Sequence, residues 1–210
     1  MKLIEIKSVI RNSLHQITSY LKKLKYPKLK KVFNINSHLT VDERIKIYNI
    51  ALERKMVICE IGSFVGASAC CFGAALYERR EGRVICIDTW NNDTMTEGKR
   101  DTWREFQNNT VQYNAYIVPI RGFSTDVVHS VAGITHNLDV LFIDGDHSYE
   151  GVKADWEAYR GFLKAGAVVI FHDYGWAEGV KRVVHEDVMP FVETYDSLPN
   201  MWWGKLSKAP

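Results

Sequence analysis

Residues 56–68 read MVICEIGSFVGAS, and this short run decides the architecture. Met56 to Cys59, with Ile61, form an apolar run of strand length, the pattern of a strand buried on both faces of a parallel sheet. Gly62 and Gly66 follow, and the small-residue run ASACCFGAALYERR beyond them reads as a helix. Strand, glycine turn and helix form half of a nucleotide-type site. Glycines admit close backbone approach, and a helix N-terminus presents unpaired N–H groups. Glu60 at the strand end adds negative charge and restricts what binds there.

Outward from this run the elements alternate. Thr40 and Glu43 form a capping box that opens a helix reaching about Arg54. A second strand, RVICIDTW, ends at Asp88. A polar stretch with a helix around Trp103 to Asn108 leads to a third strand over residues 115–120. A helix with Val127, Val128 and Val131 precedes a fourth strand, whose apolar core is 140–143. The next helix spans about 148–164, and Lys164-Ala165-Gly166 reads as its stop. A fifth strand, AVVIFHDY, a helix over about 177–189 and two short strand-like segments near 191–195 and 201–206 complete the chain. Such alternation predicts an α/β, doubly wound, mostly parallel sheet with helices on both faces.

The chain has 210 residues, enough for one such domain and an appendage, with 27 Lys and Arg against 25 Asp and Glu. The charge is unevenly spread. Residues 1–31 hold nine basic residues and one acid, Glu5, which leaves 18 basic and 24 acidic residues for the rest. In the same segment Leu3, Ile6, Ile10, Leu14, Ile17, Leu21 and Leu24 step by three or four, one apolar stripe on one helix. Three readings stay open: packing on its own domain or a second subunit, lying on an anionic membrane surface, or touching an anionic substrate or nucleic acid. The first of these leads, packing on its own domain or on a second subunit, and it leaves room for a homodimer through this helix. Pro27 ends the helix and Lys28 to Ser37 reads as a linker, dividing the chain into 1–37 and a catalytic domain, 38–210. No apolar run reaches membrane-spanning length, and no signal-peptide pattern opens the chain. Cys59, Cys70, Cys71 and Cys86 fall inside elements without metal-type spacing, as buried thiols of a reducing, cytoplasmic compartment do.

In a doubly wound sheet, ligands bind beyond the carboxyl ends of the strands. Those ends carry Glu60-Ile61-Gly62, Asp88-Thr89-Trp90, Arg121-Gly122-Phe123-Ser124, Asp144-Gly145-Asp146-His147 and His172-Asp173-Tyr174. Packing alone does not ask for polar groups at nearly every exit. Asp88 suits a ribose. A dinucleotide site also wants GxGxxG, yet Phe64 stands where its middle glycine belongs, and Glu60 repels a pyrophosphate. A cationic ligand with a ribose and no phosphate fits better, and S-adenosylmethionine is one.

These residues carry a resemblance. The run from Glu60 to Ser68, the acid at Asp88, the exit Asp144-Gly-Asp-His-Ser-Tyr-Glu-Gly-Val and the exit His172-Asp-Tyr resemble class I S-adenosylmethionine-dependent methyltransferases. Within these the match is to methyltransferase family 24, relatives of catechol and antibiotic-sugar O-methyltransferases, over roughly residues 55–206. The resemblance implies a Rossmann-like sheet of seven strands, the last antiparallel. It implies that Glu60, Gly62 and Gly66 hold the methionine end, with Ser63 and Ser68 as donors to its carboxylate. Asp88, with Thr89, takes the ribose. Gly122, Phe123 and Ser124 border the adenine, and Trp90 or Phe123 stacks on it. Asp144 faces the methyl group and acceptor.

An alcohol or phenol acceptor must lose its proton, so a base or a metal is needed. The metal-dependent relatives imply Asp144, His172 and Asp173 as ligands of Mg²⁺ or Mn²⁺. Imidazole is a poor Mg²⁺ ligand, so either a softer ion binds, or none does and His172 acts as base. His147 is the other candidate base. The expected acceptor is a small molecule. Nucleic acid is disfavoured because the body is acidic and no (N/D)PPY-type segment follows the fourth strand. The stretch Asn91 to Asn109 is expected as a lid, with Trp103 and Phe106 lining an apolar pocket. Two other readings stand beside the methyltransferase: a nucleotide-sugar or dinucleotide enzyme, and a non-catalytic cofactor-binding protein.

Overall fold

The computed structural model describes residues 16–53, 56–92 and 98–210. Its strands are β1 (Val57–Ile61), β2 (Arg83–Asp88), β3 (Ile117–Arg121), β4 (Leu138–Ile143), β5 (Leu163–His172), β6 (Val192–Leu198) and β7 (Met201–Leu206). The helices are α1 (residues 16–25), α2 (Val41–Leu52), α3 (Ala67–Arg79), α4 (Trp103–Thr110), α5 (Val128–Ala132), α6 (Tyr149–Tyr159) and α7 (Glu178–Val183).

The seven strands form one sheet in the order β3-β2-β1-β4-β5-β7-β6, with β7 antiparallel to both its neighbours. This is the sheet expected from the resemblance. After β1 the chain builds outward to β2 and β3, then returns to lay β4 on the other side of β1. The crevice this reversal opens is the ordinary ligand position of doubly wound sheets.

Strand alternation divides the interior into two cores. Ile58 joins the cluster under α2 and α3, whereas Cys59 and Ile61 join the cluster under α6 and α7. All residues of α3 from Ala67 to Leu76 are buried. A helix apolar on every side must be covered on every side, and α2 covers it. All four cysteines are buried and unpaired.

Three local expectations are corrected. Lys164 to Gly166 belong to β5 and end no helix; a register shift against β4 between Leu138 and Val140 absorbs them. α6 ends at Tyr159, and a 3-10 turn, Arg160–Phe162, leads directly into the strand. The stretch Lys28 to Ser37 is packed, with two 3-10 turns, Pro27–Leu29 and Val32–Asn34, that bury Leu29 and Val32. Arg44 clasps this segment from α2. Its guanidinium donates to the carbonyls of Val32 (2.6 Å), Ile35 (2.9 Å) and Leu39 (3.1 Å) and to the Ser37 hydroxyl (3.0 Å). A buried guanidinium satisfied by backbone carbonyls holds the strap in one geometry.

Candidate active site

A cavity of about 850 Å³ lies beyond the carboxyl ends of the parallel strands. Gly62 sets its floor. The residue sits at φ +86°, and a Cβ there would overlap the Asp144 carbonyl, so only glycine lets the β1 and β4 exits approach. Gly66, at φ +87°, opens α3, but its open side faces Thr110 and Phe106 of α4. It serves helix packing and does not line the cavity.

Glu60 is placed otherwise than expected. Its position in β1 shares the face of Ile58, so the carboxylate points under α3 and is fully buried behind the turn. The Ser63 hydroxyl donates to it at 2.6 Å and is spent there, leaving none for a ligand. Burial pushes the Glu60 pKa up to about 7, countered in part by Ser63 and Ser68. The negative field of the cavity therefore comes from other acids.

Asp88 is one of them. Its two oxygens each accept a backbone N–H, from Phe64 (2.7 Å) and Trp90 (2.6 Å), which fixes the carboxylate at the cavity wall. Thr89 lines the same wall. Trp90 does not. Its indole is fully buried, its Nε1 donates to the Phe64 carbonyl (3.0 Å), and its ring packs 4.5 Å from Trp103 and 4.7 Å from Phe106. These three rings form a core behind the turn, which corrects both the stacking role of Trp90 and the pocket role of Trp103 and Phe106. Part of the expected lid, residues 93–97, lies outside the described residues. Gly122, Phe123 and Ser124 do border the cavity, with the Phe123 ring well exposed.

The β4 and β5 exits bring together Asp144, His147, His172 and Asp173. His147 Nε2 lies 2.7 Å from Asp173 Oδ2, and this contact raises the His147 pKa against the opposing effect of burial. Asp173 is held well below the usual carboxylate range: burial opposes its charge, but His147, His172 and Asn200 outweigh burial. Trp176 Nε1 (2.8 Å) and Asn200 Nδ2 (2.9 Å) both donate to Asp173 Oδ1.

His172 is turned to the back of this group. Its Nδ1 is 2.9 Å from Asp144 Oδ1 and its Nε2 is 3.7 Å from Glu43, while the ring is almost fully buried. Burial disfavours its charge, yet Asp144, Asp173 and Glu43 together push its pKa up to about 12. Its nitrogens face carboxylates on both sides, Asp144 and Asp173 at Nδ1 and Glu43 at Nε2. The expected base and ligand roles of His172 give way to one of orienting Asp144. The side chains that can share an ion are instead Asp144, His147 and Asp173, whose ligand atoms lie within 4.8 Å of one another.

Sequence reading missed several wall residues. Asp155, nearly buried on the inward face of α6 with Val152, Trp156 and Tyr159, accepts the Ser124 hydroxyl. Burial pushes its pKa up to about 6. An acid on an otherwise apolar helical stripe was the available signal. Ser37, His38 and Leu39, the end of the Arg44-clasped strap, close one side, and Trp176 and Asn200 another. Asp88, Asp126, Asp144, Asp146, Asp155 and Asp173 all line the cavity, and among the described residues no lysine or arginine does.

A Rossmann-like sheet with this acidic crevice at its switch point defines a methyltransferase-type fold. The family model described as Methyltransferase domain, family 24, matches residues 59–174, more than half of the chain, and the chain belongs to that family. It is 26% identical over 174 residues to the uncharacterized protein R132 of Acanthamoeba polyphaga mimivirus, covering 79% of this chain and 74% of that one. Among solved structures it resembles the O-methyltransferase NovP (TM-score 0.68, 17% identity, 82% of this chain and 84% of that one). It also resembles the O-methyltransferase TomG of Streptomyces achromogenes, involved in tomaymycin synthesis and solved in complex with S-adenosylmethionine (TM-score 0.61, 15% identity, 89% of each chain). No helix among the described residues is long and apolar enough to cross a membrane.

Proposed function

We propose that this methyltransferase moves a methyl group from S-adenosylmethionine to a hydroxyl oxygen of a small molecule, a sugar or another alcohol or phenol. One observation carries the reading: Asp88, Asp144 and His147 converge on a single cavity whose described lining holds six aspartates and no lysine or arginine. Such a wall favours a cation and opposes a pyrophosphate. S-adenosylmethionine supplies, when bound, a methyl group on a sulfonium that leaves as a neutral thioether.

The chain's own groups fit that ligand. Asp88, fixed at the cavity wall by the backbone N–H groups of Phe64 and Trp90, presents a carboxylate that suits the ribose hydroxyls. The first-turn N–H groups of α3, beside Ser68, suit the carboxylate at the methionine end. Phe123 offers an exposed ring for the adenine. At the acceptor side, His147 with its Nε2 proton on Asp173 leaves Nδ1 open to receive the hydroxyl proton. Asp173, braced by Trp176 and Asn200, stabilises the imidazolium so formed.

Asp144, His147 and Asp173 also fit a divalent ion, which would polarise the acceptor oxygen as a Lewis acid. A set with one imidazole nitrogen suits Mn²⁺ better than Mg²⁺. NovP and TomG, both O-methyltransferases by description, support oxygen as the acceptor atom. The test is a competition by calorimetry between S-adenosylhomocysteine and NAD⁺, repeated with Mn²⁺. Micromolar binding of the first and none of the second is expected; binding of NAD⁺ alone contradicts the reading.

A further inference from the structure

α1 carries its apolar side outward. Ile17, Tyr20, Leu21 and Leu24, spaced three and four apart on one helix face, are between 53% and 62% exposed. The opposite side, with Ser19, Lys22 and Lys23, is the half-buried one. Lys22 Nζ bonds both carboxylate oxygens of Asp42 at 2.7 Å, and Lys23 Nζ lies 5.7 Å from the Phe33 ring. A helix that docks on its own domain does the reverse. The polar side thus tethers α1 to the body, and packing on its own domain is not what the apolar stripe is for.

We propose that this face docks on an anionic lipid surface, with α1 lying in the plane of the headgroups. Charge selects the occupant. Lys25, Lys28 and Lys30 are exposed at and just beyond the apolar row, in a segment where residues 1–31 carry nine basic residues and one acid. Pairing with a second copy through the same face would bring two such segments together, which Coulomb repulsion opposes. Anionic headgroups complement both features at once, apolar residues entering the interface and lysines meeting phosphate or serine carboxylate. In the sequence, Leu3, Ile6, Ile10 and Leu14 continue the same spacing. The surface is separate from the cavity and does not depend on which methyl acceptor is used.

The test is co-sedimentation of the full chain with vesicles of phosphatidylcholine alone and of phosphatidylcholine mixed with phosphatidylserine, whose charge gives the surface a negative potential. The expected result is binding to the anionic vesicles only, lost in high salt and weakened at least ~10-fold in a Leu21→Glu/Leu24→Glu variant. Both substitutions are at exposed positions, and an unchanged melting temperature verifies the fold. Failure to sediment with anionic vesicles overturns the proposal, as does equal binding by the variant. A concentration-dependent dimer that the variant dissolves, without lipid binding, assigns the face to a second copy instead.

Discussion

Glu60 and Asp144 stand on neighbouring strands and live in opposite surroundings. Glu60 is the last residue but one of β1, paired across the sheet with Phe142, and alternation sends its carboxylate under α3. Asp144 lies one residue past the end of β4 and opens onto the cavity. One carboxylate is a buried group whose charge costs stability; the other is available to chemistry. What separates them is position relative to the strand end, a matter of one or two residues.

That contrast can be broken most severely at Asp144. Asp144→Ala is expected to reduce methyl transfer by ~10³-fold, the scale of losing a preorganised electrostatic group, while S-adenosylhomocysteine affinity stays within about threefold. Loss of affinity with intact turnover would make it a mere cofactor ligand. His147→Gln should cost ~10²-fold or more in turnover, the contribution of a general base. The acidic limb of the pH–rate profile should vanish with it; a retained limb would move the base elsewhere.

On the strap side, Arg44→Met leaves carbonyls of Val32, Ile35 and Leu39 without their donor. A stability loss of ~3 kcal/mol in denaturant unfolding is expected. A loss near zero would mean that the strap holds without its clasp. For Glu60 the sign runs through its raised pKa. Native Glu60 keeps its proton up to about pH 7, above the ordinary 4.5, so its stabilising contribution is complete below pH 4.5 and disappears as pH rises through 7. Glu60→Gln should therefore gain on the wild type between pH 5 and 8, by up to ~3 kcal/mol. Parallel stability curves would show that Glu60 is charged at no cost.

Much of the fold was legible because its signals are local. Apolar runs bounded by glycine marked β1 and β4, and the Thr40–Glu43 capping box formed as read. The candidate site was legible at the strand exits, since polar groups there have no packing reason to exist. Failures came where tertiary context decides. Glu60 could have been placed by counting alternation from Ile58, but Trp90 could not, because only the fold brings Trp103 and Phe106 against it. His172 looked like a reactive imidazole until Glu43, from a helix far away in sequence, arrived behind it. The strap over Lys28 to Ser37 was obscured by its lysines; Leu29, Val32, Phe33 and Ile35 were the apolar hint.

Calorimetric titration of S-adenosylhomocysteine into the wild type, Glu60→Gln and Asp88→Asn separates the buried acid from the cavity acid in one experiment. Micromolar binding to the wild type, within about threefold for Glu60→Gln and at least ~10-fold weaker for Asp88→Asn, is the expected result. Intact binding by Asp88→Asn together with loss in Glu60→Gln would contradict it, and would return the donor site to the acid inside β1.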